Sequence, residues 1–401
     1  MRHLILILLA FTAVAACDQT KPPVTLHPAD NPPTRLSDWG IVMTRGGYFE
    51  LNDGVMRYTL NTPLFTDYAL KLRTVWMPSG STATYSAEGP VDFPIGTIIS
   101  KTFHYEKAGA CNQAECRVKK DDRESTLDSR GRLRLSDYVI VETRLLIRYD
   151  DGWKALPYVW NDAQDDAILE IAGDIRQLVH VTSAAEEKFT YIVPDANQCA
   201  GCHVTNHASK QLQPIGPKAW QLNRDYRYGQ QEVNQLEHWA TLGLLTGLPE
   251  NRPIGVNWSE PGVATLEQRA KAYLDINCAH CHNEAGAADT SALDLDLGTP
   301  VSRDFGICKP PVAVGRGSGN RPFDIYPGRP DDSILLYRLQ HTDPAIAMPE
   351  LGRSTVHSEG VALLRAWITE MGGECRGVSE LSSRESKVEM DPNGNSTVES
   401  T

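Results

Sequence analysis

Tyr138-Val-Ile-Val-Glu-Thr-Arg-Leu-Leu-Ile-Arg-Tyr149 is the stretch that indicates the fold of this chain most clearly. It is rich in β-branched and aromatic residues, which favour strands. Asp150-Asp151-Gly152 follows at once and is a turn signal. The apolar segment from Trp153 to Trp160 then predicts the returning strand of a hairpin.

Similar short strands are predicted on both sides of this hairpin. Turn residues separate them, which is typical of an antiparallel sandwich or barrel. We therefore predict a β-rich domain over residues 36–194, in which no nucleophile elbow, phosphate loop or H-E-x-x-H motif occurs. The additional strand candidates are Gly54–Leu60, Lys71–Met77, Thr97–Tyr105 and Phe189–Val193.

Two stretches of the form C-x-x-C-H follow the β-rich part, Cys199-Ala-Gly-Cys202-His203 and Cys278-Ala-His-Cys281-His282. This is the attachment signature of c-type haem, in which the two thiols bond the macrocycle and the histidine meets the iron. The expected cofactors are two covalently bound haem c groups. The four cysteines and both histidines would bind them, with His203 and His282 as iron ligands.

Other readings of a C-x-x-C pair fit less well. A zinc ribbon separates its two pairs by about 15–20 residues, whereas 75 residues lie between Cys202 and Cys278. Structural zinc needs four ligands in one place, and neither motif has two further local ones. A thioredoxin-like motif would lie near a βαβ pattern, which surrounds neither site.

The N-terminus is typical of an export signal. Met1-Arg2-His3 is basic, Leu4 to Ala13 is apolar, and Val14-Ala15-Ala16-Cys17 resembles a bacterial lipobox. We expect a signal peptide over 1–16 and lipid on Cys17, which places the protein on the periplasmic side of the bacterial cell envelope, anchored to a membrane. An ordinary secretory signal with Cys17 as a spare thiol is the alternative.

Composition and cysteine count fit export. The chain has 401 residues and a net charge of −12, which disfavours nucleic acid and anionic lipid headgroups as partners. We expect redox proteins as partners. Of nine cysteines, one is expected to carry lipid and four to bind haem, so four remain. Their proximity along the chain suggests the disulfides Cys111–Cys116 and Cys308–Cys375, although four cysteines allow three pairings.

From residue 195 onward the sequence pattern predicts helices. Thr265-Leu-Glu-Gln268 is a capping-box pattern that begins a helix leading to Cys278. A second helix is predicted from Glu359 to Met371, where Gly372-Gly373 ends it. The remaining predicted units are a disordered tether over 17–35, a first haem segment over 195–262, a cytochrome-like domain over 263–376 and a disordered tail over 377–401.

The order of helix, C-x-x-C-H, loops, Met-Pro and final helix resembles the class I cytochrome c fold. The resemblance covers Thr265 to Arg376 and implies that His282 is the proximal iron ligand. It further implies that Met348, in Ala347-Met348-Pro349, is the distal ligand. The fold class expected for the chain is therefore α+β and multidomain, with an N-terminal antiparallel β domain before a mostly α c-type cytochrome region carrying two haems.

The chain as a whole resembles a family of exported dihaem c-type cytochromes, largely uncharacterised bacterial lipoproteins. This resemblance brings no known substrate. The segments that carry it are Leu60-Asn-Thr-Pro-Leu-Phe-Thr-Asp-Tyr68, Glu142-Thr-Arg-Leu145, Pro214-Ile-Gly-Pro217, Asn234-Gln-Leu236 and Tyr273-Leu-Asp-Ile-Asn-Cys-Ala-His-Cys-His282.

The first haem lacks an obvious second ligand, because no methionine lies between His203 and Thr265. A histidine, a ligand from the β domain or an open site are the possibilities. His207 is too close to His203 to reach the opposite face of a haem. His238 and Met77 are the leading candidates, and Met56, His104 and His180 remain open.

The expected function is electron transfer between a redox enzyme and an acceptor by a membrane-anchored periplasmic dihaem cytochrome. Enzymatic activity is disfavoured but left open, because a five-coordinate first haem would allow oxidoreductase chemistry. One alternative is a dihaem peroxidase-like enzyme with an open first haem, although the 79 residues from Cys199 to Cys278 are a short spacing for it. Another is a binding module whose β domain recruits a ligand or a partner protein.

Overall fold

A computed structural model describes residues 21–111, 115–121, 123 and 127–375. The predicted signal peptide with Cys17, the first residues of the predicted tether and the predicted tail all lie outside these residues. Among the described helices, none is both long and apolar enough to cross a membrane.

The described residues form sixteen strands and six α-helices. The strands are β1 (Val42–Arg45), β2 (Tyr48–Leu51), β3 (Met56–Tyr58), β4 (Leu70–Trp76), β5 (Ala83–Thr84), β6 (Ile98–Cys111), β7 (Cys116–Lys119), β8 (Leu133–Arg134), β9 (Tyr138–Tyr149), β10 (Gly152–Trp160), β11 (Ala167–Leu169), β12 (Asp174–Val181), β13 (Glu186–Val193), β14 (Asp225–Tyr228), β15 (Gln231–Asn234) and β16 (Leu245–Thr246). The helices are α1 (Ala196–His203), α2 (Ala219–Leu222), α3 (Gln235–Thr241), α4 (Leu266–Leu274), α5 (Ile334–Leu339) and α6 (Ser358–Glu370).

A nine-stranded curled sheet, a half-barrel, organises the molecule. Its order is β11-β10-β9-β6-β7-β12-β13, with β4 also paired to β6 and β3 to β4. The hairpin predicted from Tyr138 to Trp160 is confirmed as β9 and β10, with Tyr158 opposite Thr143. The register of β6 against β9 shifts between Phe103 and His104, and such irregularities bend a strand and increase its twist.

The predicted fold class is wrong. Strands account for 29% of the structure and helices for 18%, so the described part of the chain is mostly β and contains no mostly α cytochrome region. The sheet is also not purely antiparallel, because β7 and β12 run parallel. The six helices are only 4 to 13 residues long. Glycine, proline and aspartate interrupt the chain between them, and these residues are poor helix formers.

The two helices predicted by local signals are present and pack together. Thr265 caps α4, accepting from Gln268 N, while the Gln268 side chain accepts from Thr265 N, which is a capping box. α6 covers Ser358–Glu370, as predicted within one residue at each end. Leu274 and Leu364, both fully buried, lie in the core cluster that α4 and α6 share.

One buried carboxylate joins the sheet to the C-terminal part. Asp67 accepts hydrogen bonds from the backbone N–H groups of Ser354 and Thr355 at 2.8 and 2.7 Å. Its backbone carbonyl accepts from Tyr105 Oη at 2.8 Å. Asp67 and Tyr68 both have left-handed backbones, with φ of 44° and 58°. Such strain persists only where surrounding contacts stabilise it. Here the hydrogen bonds to Ser354 and Thr355 hold the loop before β4 against residues 354–357.

Candidate functional site

The first C-x-x-C-H segment forms helix α1 at the edge of the sheet. Asp195 caps the helix and Gln198 returns the bond, so the start of the helix is defined by its own sequence. His203 is its last residue, and its Nδ1 lies 2.8 Å from the carbonyl oxygen of Gln213. A carbonyl only accepts, so Nδ1–H donates, and Nε2 of the neutral ring keeps its lone pair.

The second C-x-x-C-H segment begins in a π turn, Asp275–Ala279, that directly follows α4. The ring of His282 is held by Ser291, whose Oγ lies 3.0 Å from Nδ1. Cys278, His282 and Met348 line one cavity of about 420 Å³. The structure therefore brings together the histidine and the methionine that the sequence paired across 66 residues.

The two motif segments touch. Cys281 Sγ lies 3.5 Å from the carbonyl oxygen of Gly201, a residue inside the first motif. His280, the middle residue of the second motif, lines the cavity of the first motif rather than its own. Burial, with smaller effects from His203, His282 and Lys218, lowers the pKa of His280 to about 3. Anything bound beside one motif is consequently adjacent to the other.

The cavity beside the first motif, of about 160 Å³, is walled by distant parts of the chain. Strands of the sheet form one side and the α1 motif another. The residues after α4 and the segment before α6 complete it. Its lining includes Arg73, Ile99, Lys101, Arg144, Leu146, Cys199, Cys202, His203, Pro214, Ile215, Pro217, Tyr273, Asn277, His280, Leu351, Arg353 and His357.

A row of three cations crosses the sheet wall of this first cavity. Arg73 on β4 lies opposite Lys101 on β6, and Lys101 lies opposite Arg144 on β9. Like charges placed directly opposite one another destabilise a sheet. Burial first, and then Arg73, Arg144 and Lys71, hold the pKa of Lys101 well below its usual range.

One buried carboxylate balances part of this charge. Glu142 is fully buried and accepts from Arg144 at 2.8 and 2.5 Å, and from Tyr191 Oη at 2.6 Å. The Glu142 carboxylate is therefore engaged by Arg144 and Tyr191. The first cavity therefore presents an excess of positive charge beside an apolar surface, which suits a ligand with an apolar body and acidic substituents.

The four motif thiols are held in the neutral form. Burial raises the pKa of Cys278 and of Cys281 to about 12. It also raises the pKa of Cys199 and of Cys202. The thiolate is the nucleophile in disulfide exchange, so this environment disfavours thioredoxin-like chemistry.

Both motif histidines are likewise neutral at pH 7. Burial is the main cause that lowers the pKa of His203 to about 4, and the same holds for His282. Neutral imidazoles with Nδ1 engaged present Nε2 to their cavities. This is the state in which a histidine accepts a proton or binds an electrophilic group.

Two predicted ligands of the first motif lie elsewhere. His238 is on α3 with its ring stacked on Tyr228 at 4.0 Å. Met77 is buried in the cluster that contains Phe93 and Leu245. Neither residue lines the first cavity or the second.

The structure contains both disulfides expected from the sequence. Cys111–Cys116 closes the turn between β6 and β7, and Cys308–Cys375 ties the loop after the second motif to the end of the described chain. Their Cα atoms are 3.9 and 5.2 Å apart.

The cofactor prediction does not hold. Over residues 21–111, 115–121, 123 and 127–375, no group of three or more His, Cys, Asp and Glu side chains could hold a metal ion. The helical cytochrome region expected to carry the haems is also absent from the part of the chain that the structure describes. By these criteria the prediction of two covalently bound haem c groups is wrong, together with the expected cytochrome c and iron-binding character.

Comparison with protein families, with curated proteins and with solved structures finds no match to this chain. The resemblance to exported cytochromes stays a prediction, as do the roles of the motif residues.

The sequence reasoning missed the cation row and the residues opposite it. Arg73, Lys101 and Arg144 lie in strands that each contain a second cation, Lys71, Lys107 and Arg148, so no local contrast marked them. Their alignment depends on strand register, which the local pattern does not contain. Tyr273 and His357 were also missed as cavity residues.

Proposed function

We propose that this chain is an electron-transfer protein that passes electrons between a redox enzyme and an acceptor. In this proposal a redox-active group occupies each of the two cavities beside the C-x-x-C-H segments. The observation that carries the proposal is the contact between the segments, Cys281 Sγ to Gly201 O at 3.5 Å. Groups bound on the two sides of that contact would be neighbours, and electron transfer between bound groups falls steeply with distance.

The thiol environment supports a bound group over direct thiol chemistry. The pKa of the Cys278 thiol and that of the Cys281 thiol are both raised to about 12, so little thiolate exists at neutral pH. Each cavity combines an apolar wall with a histidine whose Nδ1 is engaged. In such a site the protein contributes binding, orientation and electrostatics, while the bound group carries the redox chemistry.

We further propose an envelope location for this function. The lipobox-like Val14-Ala15-Ala16-Cys17 supports a lipid anchor on Cys17 on the periplasmic side of a membrane. Soluble or membrane-bound redox proteins on that side are the partners in this proposal.

The cation row of the first cavity favours a second candidate, in which the β domain serves as a ligand-binding module. Arg73, Lys101 and Arg144 line this largely apolar cavity, and Glu142 pairs with Arg144 behind it. A ligand with an apolar body and acidic groups would offset their mutual repulsion. The two candidates are compatible, because the ligand of the first cavity could itself be the redox group.

The test uses the full chain purified from bacterial membranes with its own N-terminus. We expect the protein as purified to accept electrons reversibly in a spectroelectrochemical titration, through a group bound in each cavity. Cys199→Ser/Cys202→Ser should remove the group of the first cavity, which both cysteines line, and Cys278→Ser should remove the group of the second cavity, which Cys278 lines.

The matched control is Cys111→Ser/Cys116→Ser, which removes the disulfide that closes the turn between β6 and β7, where no described residue lines either cavity. This variant should keep both reducible groups. A wild-type protein that accepts no electrons would contradict the proposed function.

A further inference from the structure

Lys101 places an amine in the wall of the first cavity. It lies on β6, directly opposite Arg73 on β4 and Arg144 on β9, and all three side chains line the cavity. The ends of Lys101 and Arg144 lie over the same ring, that of Phe103, with Nζ 4.8 Å and Cζ 4.3 Å from its centre. The amine therefore lies beside a guanidinium at the surface of the cavity.

The surroundings of Lys101 favour the neutral amine over the ammonium ion. The charged groups that act on it are Arg73, Arg144, Lys71 and Glu142. Burial is the main reason why the pKa of Lys101 is held well below its usual range, and the three cations lower it further. Glu142 acts in the opposite direction but is engaged by Arg144. A desolvated lysine next to other cations is an activated nucleophile for carbonyl carbon.

Arg73 is the neighbour of Lys101 that suits a carboxylate. Arg144 already donates to both carboxylate oxygens of Glu142. Arg73 and Lys101 are opposite each other on antiparallel strands, and such residues have Cβ atoms about 4.5–5.5 Å apart. A guanidinium can bind a carboxylate through two parallel N–H donors. A ligand with its carboxylate bonded directly to a carbonyl carbon would thus present that carbon to the amine.

Most of the remaining surface of the first cavity is apolar, and the cavity is small. Ile99, Leu146 and Leu351 are among the apolar residues that line it. Its volume is about 160 Å³, below the range of about 300–1,000 Å³ that is usual for drug-sized ligands. The ligand that fits is therefore a small molecule with a short apolar side chain.

We propose that the first cavity binds a small α-oxo acid with an apolar side chain, which forms an imine with the amine of Lys101 while Arg73 holds its carboxylate. This inference names the ligand class of the binding-module candidate, on which it rests, and it does not require electron transfer. Lys101 forms the bond to the ligand, and Arg73 determines that the ligand is an acid.

The step is a condensation without a redox change. The lone pair of the neutral Lys101 amine attacks the carbonyl carbon and gives a carbinolamine. Water then leaves, with its oxygen from the carbonyl group and its two protons from the amine, and a carbon–nitrogen double bond to Lys101 remains. The carboxylate keeps its charge, and addition of water reverses the step.

The test is reductive trapping in the full-length protein at pH 7. Ketoleucine, the α-oxo acid of leucine, is added with cyanoborohydride, which reduces an imine to a stable secondary amine, and peptide mass mapping locates the label. Each unit by which a lysine pKa falls raises the neutral fraction about tenfold. We expect labelling of Lys101 to be about tenfold or more faster than labelling of the partly exposed Lys154.

Two variants test the reacting amine. Lys101→Met should abolish the fast label, because no amine remains in the cavity wall. Lys154→Met, on β10, removes a partly exposed amine that does not line the first cavity, so it should keep the fast label. The wild-type peptide map identifies the labelled lysine independently of how well either variant folds.

A third variant tests the carboxylate contact. Arg73→Gln should slow labelling by ketoleucine by about tenfold, as expected when hydrogen bonds to a charged group are lost. Labelling by isovaleraldehyde, which has the same apolar chain but no carboxylate, should fall much less. Both reactions use the same amine, so the ratio of their rates isolates the contact with Arg73.

The outcomes separate this inference from electron transfer. Label on exposed lysines with none on Lys101 overturns the imine, and an equal effect of Arg73→Gln on the two probes overturns the α-oxo acid as ligand. Either result leaves electron transfer standing. A protein that is labelled at Lys101 but accepts no electrons contradicts the electron-transfer proposal alone.

Discussion

The two C-x-x-C-H segments share a local sequence pattern but occupy different surroundings. The second lines a cavity of about 420 Å³ built almost wholly from residues 278–348, which include its own His282 and Met348. The first lines a smaller cavity of about 160 Å³, with a wall from β4, β6, β9 and β10. The cavity of the second motif is therefore formed by residues that follow it closely in the sequence, whereas the cavity of the first motif is formed partly by the sheet.

The two cavities also differ in the charged residues that line them. The sheet wall of the first cavity places Arg73, Lys101 and Arg144 in one cross-strand row. The second cavity has Lys309 and Arg338 instead, and Asp324 pairs with Lys309 at 3.2 Å. The charge excess beside the first motif is thus a property of the sheet, and it makes the first cavity the more specific of the two.

The largest expected effect is at the buried carboxylate behind the first cavity. Glu142→Gln leaves the Arg144 guanidinium beside Lys101 without its counter-ion. Breaking a buried pair by neutralising one partner costs about 3 kcal/mol, and we expect that loss in the free energy of unfolding. Urea denaturation of the full chain measures it.

The matched control for Glu142→Gln is Glu186→Gln. Glu186 pairs with Arg117 at the surface, where both side chains are partly exposed. Exposed pairs are screened by solvent and contribute little to stability, so this variant should lose much less than Glu142→Gln. If both variants lose the same free energy of unfolding, the buried Glu142–Arg144 pair stabilises the protein no more than a surface ion pair.

The next effect concerns the helix that leads into the second motif. Gly360→Ala would bring a Cβ within 2.3 Å of Tyr273 Oη, where α6 crosses α4. Overpacking costs about 1–3 kcal/mol, and the gain of about 1 kcal/mol in helix propensity offsets part of it. We expect the variant to be destabilised, as measured by thermal unfolding.

Gly372→Ala is the control for that substitution, because no atom lies within 4 Å of the added Cβ. It should unfold at the wild-type temperature. If Gly360→Ala also does so, the close approach of Tyr273 to α6 is not required, and the link between the second motif's helix and the first cavity is looser than described.

The smallest expected effect has the opposite sign. Lys101→Met replaces the central basic side chain of the row by an apolar one. Removing the cost of burying that amine between Arg73 and Arg144 should raise the free energy of unfolding by about 0.5–1 kcal/mol. The same change should weaken binding of an acidic group in the first cavity and leave the second cavity unaffected. Denaturation and the count of reducible groups report these two results separately.

Lys154→Met on β10 is the control, since Lys154 is partly exposed and pairs with Asp151. Its effect should stay within about 0.5 kcal/mol. A Lys101→Met protein that is less stable than wild type, or that loses neither group, would show that the cation row is structural rather than a ligand site.

Local patterns predicted part of this fold well. The hairpin of β9 and β10 and the capping box of α4 each depend on residues a few positions apart, so short windows contain the needed information. The prediction of a mostly α region failed because two genuine helices were extended to the turns between them. The haem prediction extended a five-residue pattern to a whole site in the same way.

The sequence by itself determined the two C-x-x-C-H segments, the disulfide candidates and the helix caps. Spacing along the chain specifies these features, whatever the rest of the molecule does. Only the tertiary structure decided that Lys101 stands between Arg73 and Arg144, and that His280 enters the cavity of the other motif. Strand register and the burial of distant apolar surfaces set such contacts, because they depend on the free energy of the whole fold rather than of any one segment.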